Sequence, residues 1–348
     1  MTNALETMKL ADYDYQVPED LVAVEPATDR DASKLMVLHR AKDTLQHRSF
    51  KDLPDFLNAG DCIVLNRSRV LPARLVGRKA TGGNAELLML DEMGPGLWTA
   101  LSAQLKPGVV VELLGGVTAA ARGRAEDGSW LVRFSTREVR ALLEKDGLPP
   151  LPPYIRSKRK RHGMSEARPE DMARYQTVYA QEQGSLAAPT AGLHFTPDVL
   201  QALRDKGVAV VEVVLHVGLG TFKPVTAEDV RDHKMLPERY EVSPEAVETL
   251  RANRAKGGRV VAVGTTATRT LETLAGGAAL VGATSLYIVP GHRFRAIDAL
   301  LTNFHQPAST PLLLTSAFAG REKVLSAYQE AIGARYRLFS YGDAMLIL

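Results

Sequence analysis

The chain has 348 residues, 45% of them hydrophobic and 24% charged, with a formal net charge of +3 at pH 7. That length can bury a large core and suits two domains, and so balanced a charge directs no global field at nucleic acid. Cys62 is the single cysteine, which excludes a disulfide framework and a cysteine-based zinc site. The opening residues "MTNALETMKLADYDY" lack a signal peptide's apolar core, and no apolar run approaches the roughly 20 residues that span a bilayer. The expectation is a cytoplasmic protein with no membrane contact and no metal.

Before residue 65, "DASKLMVLHR" and "DCIVLN" carry helix and strand signals. From Leu65 to Phe134 come short β-type runs, "RVLPARLVGRKATGG", "AELLML", "LWTALSA", "VVVELLG" and "SWLVRFS", divided by the turn sequences "GGN", "GPG", "KPG" and "EDG". Short strands at that spacing predict a small antiparallel barrel or sandwich. "TREVRALLEKDG" then reads as a helix with Thr136 as N-cap and Gly147 as stop, and "LPPLPPYI" as a stiff connector.

Beyond Tyr154 helices and strands alternate. "TPDVLQALRDKG" and "SPEAVETLRANRAKGG" are capped helices, "TTATRTLETLAGG" is a third, and "VAVVEVVLHVG", "RVVAVG" and "TSLYIVPG" are strands. The alternation predicts an α/β domain with mostly parallel strands. We therefore read residues 1–66 and 150–348 as an α/β domain, with 67–149 as an inserted β-barrel domain.

Polar loops follow the predicted strands, where α/β folds place their sites. "VLNRSRVLPARL" brings Asn66, Arg67, Ser68, Arg69 and Arg74 out together, and its arginines suit a phosphate or carboxylate as well as a solvated turn. "LHVGLGTF" supplies His216, Gly218, Gly220 and Thr221; glycines after a strand admit a ligand to the backbone, though a structural turn with a hydrogen-bonded core histidine is the commoner explanation. In "VVAVGTTATRTLE", Gly264, Thr265 and Thr266 open a helix, where free N–H groups suit an anion. Arg269 sits in that helix's first turns, unfavourable to the dipole unless an anionic partner is near.

"LLTNFHQPASTPLLL" sets Asn303, His305, Ser309 and Thr310 between apolar runs, and "YRLFSYGDAMLIL" does the same with Asp343, a structural cap or a base. "RSKRKRH" carries Arg156, Lys158, Arg159, Lys160 and Arg161, a local basic run that suits a phosphate backbone or a solvated loop. "GSLAAPTAGLHFT", with Pro189, Thr190, Gly192, His194 and Phe195, is too rich in small residues for an ordinary helix. From these residues alone the chain is a two-domain, enzyme-like α/β protein, with no reaction named.

"NRSRVLPARL", "YQTVYA", "GSLAAPTAGLHFT", "HVGLGTF", "VVAVGTTATRTLE", "NFHQPASTPLLL" and "YRLFSYGDAMLIL" together resemble the S-adenosylmethionine:tRNA ribosyltransferase-isomerases of queuosine biosynthesis, over the chain from Met8 onward. The resemblance implies a barrel-like α/β domain with a small β-barrel and a monomer, and leaves the native start open between Met1 and Met8. It also implies transfer and isomerisation of the ribosyl part of S-adenosylmethionine onto 7-aminomethyl-7-deazaguanine at the tRNA wobble position, giving epoxyqueuosine and releasing adenine and methionine. S-adenosylmethionine is then a co-substrate, no recycled cofactor is needed, and tRNA is the partner.

The reaction needs a base for a sulfonium-acidified C5′–H and an acid for departing adenine; with the resemblance, these roles fall to His194, His216, His305 and Asp343. Pro189, Thr190, Gly192, Phe195, Gly218, Gly220, Thr221, Gly264, Thr265, Thr266, Arg269 and Asn303 become the S-adenosylmethionine contacts, with Phe195 stacking on the adenosine. Arg67, Arg69, Arg156, Lys158, Arg159, Lys160 and Arg161 become the RNA contacts. The rivals are an RNA methyltransferase, disfavoured by the missing glycine-rich first-strand signature, and a non-catalytic RNA-binding module.

Overall fold

The computed structural model describes residues 8–222 and 225–348; the question of Met1 against Met8 and the side chain of Thr221 lie outside the described part. The chain divides into a large unit of residues 1–69, 176–182 and 188–348 and a small unit of residues 70–175 and 183–187. Residues 150–175, expected with the α/β domain, therefore group with the β-rich unit.

The large unit is built on nine strands: β1 (Lys34–His39), β2 (Thr44–Ser49), β3 (Cys62–Asn66), β4 (Ala209–Leu215), β5 (Glu238–Glu241), β6 (Val260–Val263), β7 (Val281–Thr284), β8 (Ala299–Asn303) and β9 (Ala344–Ile347). They form one sheet in the order β7-β5-β4-β3-β6-β8-β9-β1-β2. "CIVLN", "VVAV", "ALLTN" and "AMLI" are buried along their whole length, as central strands covered on both faces must be. Leu35, Val37, Ile63, Leu65, Val261, Val263, Leu301 and Leu346 share one core with Val199, Leu200 and Leu203 of helix α1 (Pro197–Asp205).

Ladders β4–β3, β3–β6, β6–β8 and β9–β1 are parallel, whereas β7–β5, β5–β4, β8–β9 and β1–β2 are antiparallel. The sheet is thus mixed rather than mostly parallel, because the chain returns through β9 against β8. Asn303 pairs with Ala344, and Ala344 with Leu35. The edge where β3, β4, β6 and β8 end is consequently the edge where β9 and β1 begin.

The expected caps are present on two helices. Thr196 Oγ1 accepts from Val199 N at 3.2 Å to start α1, and Ser243 Oγ accepts from Ala246 N at 3.1 Å to start α2 (Pro244–Ala255); each is followed by a proline whose fixed φ suits the first helical position. Helix α3 (Gly264–Ala275) begins directly on β6 with Gly264 at φ +82°, a left-handed conformation that favours glycine. Helices α4 (Thr310–Ala319) and α5 (Arg321–Gly333) complete the unit.

In the small unit, strands Arg74–Lys79, Asn84–Gly94, Leu97–Leu101, Val110–Glu112, Thr118–Arg124 and Trp130–Phe134 close into an antiparallel barrel. Its interior holds Leu75, Leu87, Met89, Trp98, Ala100, Val111, Ala119, Ala121 and Val132. Two local expectations change. The helix after the barrel spans Val139–Asp146 and has no side-chain cap; Thr136 Oγ1 instead accepts from Glu138 N at 3.1 Å, in a turn before the helix. The basic run is no loop: it lies in a helix, Pro153–Arg161, that starts on the last proline of the connector.

The small residues of "PTAGLHF" answer to packing. After Pro189 the chain makes a single tight turn, Thr190–Gly192, with Gly192 N donating to Pro189 O at 2.8 Å. A Cβ on Gly192 would lie 2.0 Å from the Tyr179 hydroxyl and 2.8 Å from Thr177 Cγ2. Gly192→Ala is therefore expected to destabilise the protein by about 1–3 kcal/mol through overpacking, and adding Tyr179→Phe should recover part of that loss. Urea denaturation of the three variants checks this; an unchanged midpoint for Gly192→Ala would contradict it.

Candidate active site

Polar residues lie along the sheet edge just described, and those of three segments, at Ser33, Thr190–His194 and Asn303, are joined by hydrogen bonds. His194, two residues past the tight turn, is 5% exposed. Its Nδ1 lies 2.7 Å from Ser33 Oγ, just ahead of β1, and its Nε2 lies 3.3 Å from Asn303 Nδ2, at the end of β8. Asn303 Oδ1 accepts from Thr190 Oγ1 at 2.8 Å, so the turn is tied to the strand by side chains. Phe50 stacks on the imidazole with ring centroids 5.0 Å apart. Burial first, then the Arg30 and Arg337 charges, push the His194 pKa down to about 3.

His305 follows β8 by two residues. Its Nε2 is 2.6 Å from Thr302 Oγ1, its N–H donates to the Tyr328 hydroxyl at 2.9 Å, and its carbonyl accepts from Tyr15. Burial lowers its pKa to about 3 as well. Asp343, ahead of β9, accepts from Lys34 N at 2.9 Å and from Arg337 N at 2.7 Å. Burial raises its pKa, and those two bonds oppose the rise. Both carboxylate oxygens are thereby engaged, which gives Asp343 the geometry of a clamp holding the starts of β1 and β9.

His216 leaves β4, three strands away from β8 on the same edge, or about 14 Å at ordinary strand spacing. Its ring does not join the His194 network. Burial and Arg239 lower its pKa, and its buried Nδ1 finds no partner among the described residues. Gly218 and Gly220 beyond it have ordinary φ, and a Cβ there would meet nothing described closer than 3.5 Å. Their own packing leaves room rather than demanding glycine. Thr266 Oγ1, in the first turn of α3, is also buried without a partner among the described residues.

Several expected contacts are already spoken for within their own units. Phe195 is fully buried and packs edge-on against Phe50 and Tyr179 in the core, so it cannot stack on a ligand. Arg269 is buried against Glu238 and donates to Leu286 O at 2.8 Å, so the anionic partner its helix position demands is internal. Glu238 also accepts from Gly218 N at 2.9 Å, which anchors the His216 loop to α3. Arg67 faces Glu182 at 3.5 Å and Glu212 at 3.6 Å.

In the small unit, Arg159 and Asp171 form a bidentate, fully buried pair at 2.6 and 2.9 Å. Arg156 is bidentate to Glu86 at 2.8 and 2.6 Å, and Lys158 is buried. Arg69, Lys160 and Arg161 remain exposed. The expected RNA set thus shrinks to these three, because a buried charge in a folded helix must be neutralised locally.

The queuosine biosynthesis protein family model matches residues 10–347. The chain belongs to that family. It is similar to curated proteins named S-adenosylmethionine:tRNA ribosyltransferase-isomerase, at 48% identity to that of Thermotoga petrophila and 48% to that of Moorella thermoacetica, covering 98% of this chain and 100% of each relative. Superposed by structure, it is similar to the crystal structure of S-adenosylmethionine tRNA ribosyltransferase from Thermotoga maritima, with TM-score 0.56 and 38% identity over 97% of this chain and 100% of that one.

Sequence reading missed Ser33, Glu238, Thr177 and Tyr179. Tyr179 OH and Thr177 Oγ1 are buried without partners among the described residues, and both belong to the "YQTVYA" run. Ser33 and Glu238 carry no local signal, since each acts on a residue far away in sequence.

The histidine shifts fix a pH dependence. The unfolded chain protonates near pH 6.5, but His194 and His305 bind no proton in the fold until about pH 3. Stability is therefore lost as pH falls between those limits, at up to about 1.4 kcal/mol per pH unit per histidine. Asp343, with its raised pKa, acts in the opposite sense at the acid end. Urea midpoints between pH 6.5 and 4.5 should fall less steeply in His194→Gln than in the parent; parallel slopes would contradict the assignment.

Proposed function

We propose that this chain is an S-adenosylmethionine:tRNA ribosyltransferase-isomerase. It moves the ribosyl part of S-adenosylmethionine onto 7-aminomethyl-7-deazaguanine at the tRNA wobble position, forming epoxyqueuosine and releasing adenine and methionine. The observation that carries the reading is its end-to-end similarity to curated proteins of that name. The convergence of the polar loops on one strand edge supports it, since such an edge is where α/β sheets bind ligands.

The electrostatics support one order of the proton steps. With pKa values near 3, His194 and His305 rest as neutral imidazoles at pH 7, so a histidine enters the reaction as a base. It takes the C5′ proton that the adjacent sulfonium has acidified. The imidazolium so formed is buried and strongly acidic, and it returns the proton as adenine departs. His216 Nδ1 and Thr266 Oγ1, buried without partners among the described residues, suit the polar groups of S-adenosylmethionine. Asp343 supports the site by fixing the starts of β1 and β9. Arg69, Lys160 and Arg161 meet tRNA phosphates.

Incubation with S-adenosylmethionine and precursor-bearing tRNA should release adenine and methionine together and leave ribosyl carbon on the tRNA. S-adenosylhomocysteine as product would establish methylation instead, and tRNA binding without turnover would establish a binding module. His194→Ala should lower kcat by about 10²–10⁴-fold and suppress deuterium exchange at C5′; full exchange would remove it as the base. Lys160→Ala with Arg161→Ala should weaken tRNA binding and reduce the slope of log K against log salt by about 1–2, measured by titration at several salt concentrations.

A further inference from the structure

We infer that Ser33 is a positioning residue for this reaction: it fixes neutral His194 as the Nδ1–H tautomer, leaving Nε2, on the Asn303 side, as the ring atom that takes up a proton. The inference rests on the proposed role of His194 as a base. It follows from counting hydrogens around a buried ring. Ser33 Oγ lies 2.7 Å from His194 Nδ1 and 3.3 Å from the Arg30 carbonyl. A carbonyl only accepts, and a hydroxyl has one hydrogen to give. Ser33 therefore donates to Arg30 O and accepts from Nδ1–H.

On the other side of the ring, Asn303 presents its NH2 to the Nε2 lone pair at 3.3 Å, and its Oδ1 accepts the Thr190 hydroxyl hydrogen at 2.8 Å. These bonds are mutually consistent, with one direction running Thr190, Asn303, His194, Ser33, Arg30 carbonyl. The reverse direction would need the Asn303 amide turned over and would withdraw the Ser33 hydrogen from Arg30 O. It would also aim the basic nitrogen at Ser33, away from the Thr190–Gly192 turn. Phe50, stacked on the imidazole, fixes the ring plane, and Arg30 Nη1 holds the neighbouring Leu193 carbonyl at 3.0 Å.

Two-bond ¹H–¹⁵N correlation spectra of the full chain, labelled at histidine, read the tautomer directly at pH 7 without substrate. The His194 signals, identified by their loss in His194→Gln, should show a protonated Nδ1 and an unprotonated Nε2; the opposite pattern overturns the inference. In turnover, Ser33→Ala should lower kcat by about 10–100-fold with KM for S-adenosylmethionine changed less than about threefold, and Ser33→Thr, which keeps the hydroxyl, should recover most of the loss. A parental kcat in Ser33→Ala also overturns it. Because the tautomer is read in the free protein, failure of the proposed reaction would leave that result standing and be recognised separately, by the absence of adenine release.

Discussion

The register of β9 between β8 and β1 is the constraint on which the site depends. Asn303, Ala344 and Leu35 lie side by side across three strands. That alignment sets the end of one strand against the starts of two others, so Asn303, Asp343 and Ser33 reach one edge from three distant parts of the chain. A slip of one residue would turn each side chain to the opposite face. Asp343 guards the alignment, because its two oxygens hold Lys34 N and Arg337 N. His194 then completes a network whose other members are already in place.

Within each unit, charge is settled internally before any substrate arrives. Arg269 is answered by Glu238, Arg159 by Asp171, and Arg156 by Glu86. These pairs are buried or half-buried, where an unpaired ion would be costly. Their effect is geometric: the Glu238 carboxylate binds both Arg269 and Gly218 N and so holds the His216 loop to the helix beside it. Among the buried side-chain atoms without partners in the described residues are four uncharged ones, His216 Nδ1, Thr266 Oγ1, Thr177 Oγ1 and Tyr179 OH.

The histidines are kept neutral by their surroundings. Burial and two nearby arginines keep His194 neutral, and a neutral buried imidazole must find one donor and one acceptor. The protein supplies them as a hydroxyl and an amide, neither of which titrates near neutral pH. The ring is thus oriented without being charged. Gly192 contributes by letting the chain pass over Tyr179 closely enough for His194 to reach Ser33 and Asn303.

The sequence by itself determined most element types, the helix caps at Thr196 and Ser243 and the barrel's alternating strands, because hydrophobic period, proline and glycine act within a few residues; the strand expected in "TSLYIVPG" instead ends at Thr284, and the rest of that segment is irregular. Its long motifs also fixed the family. Only the tertiary structure decided which polar residues are available. Phe195 entered the core, Arg269 and Arg159 met internal carboxylates, and the basic run "RSKRKR" became a helix with its inner residues buried. Ser33 and Glu238 gained their importance from partners 161 and 31 residues away. Pairing of that range depends on strand order and register, which no local pattern of amino acids encodes.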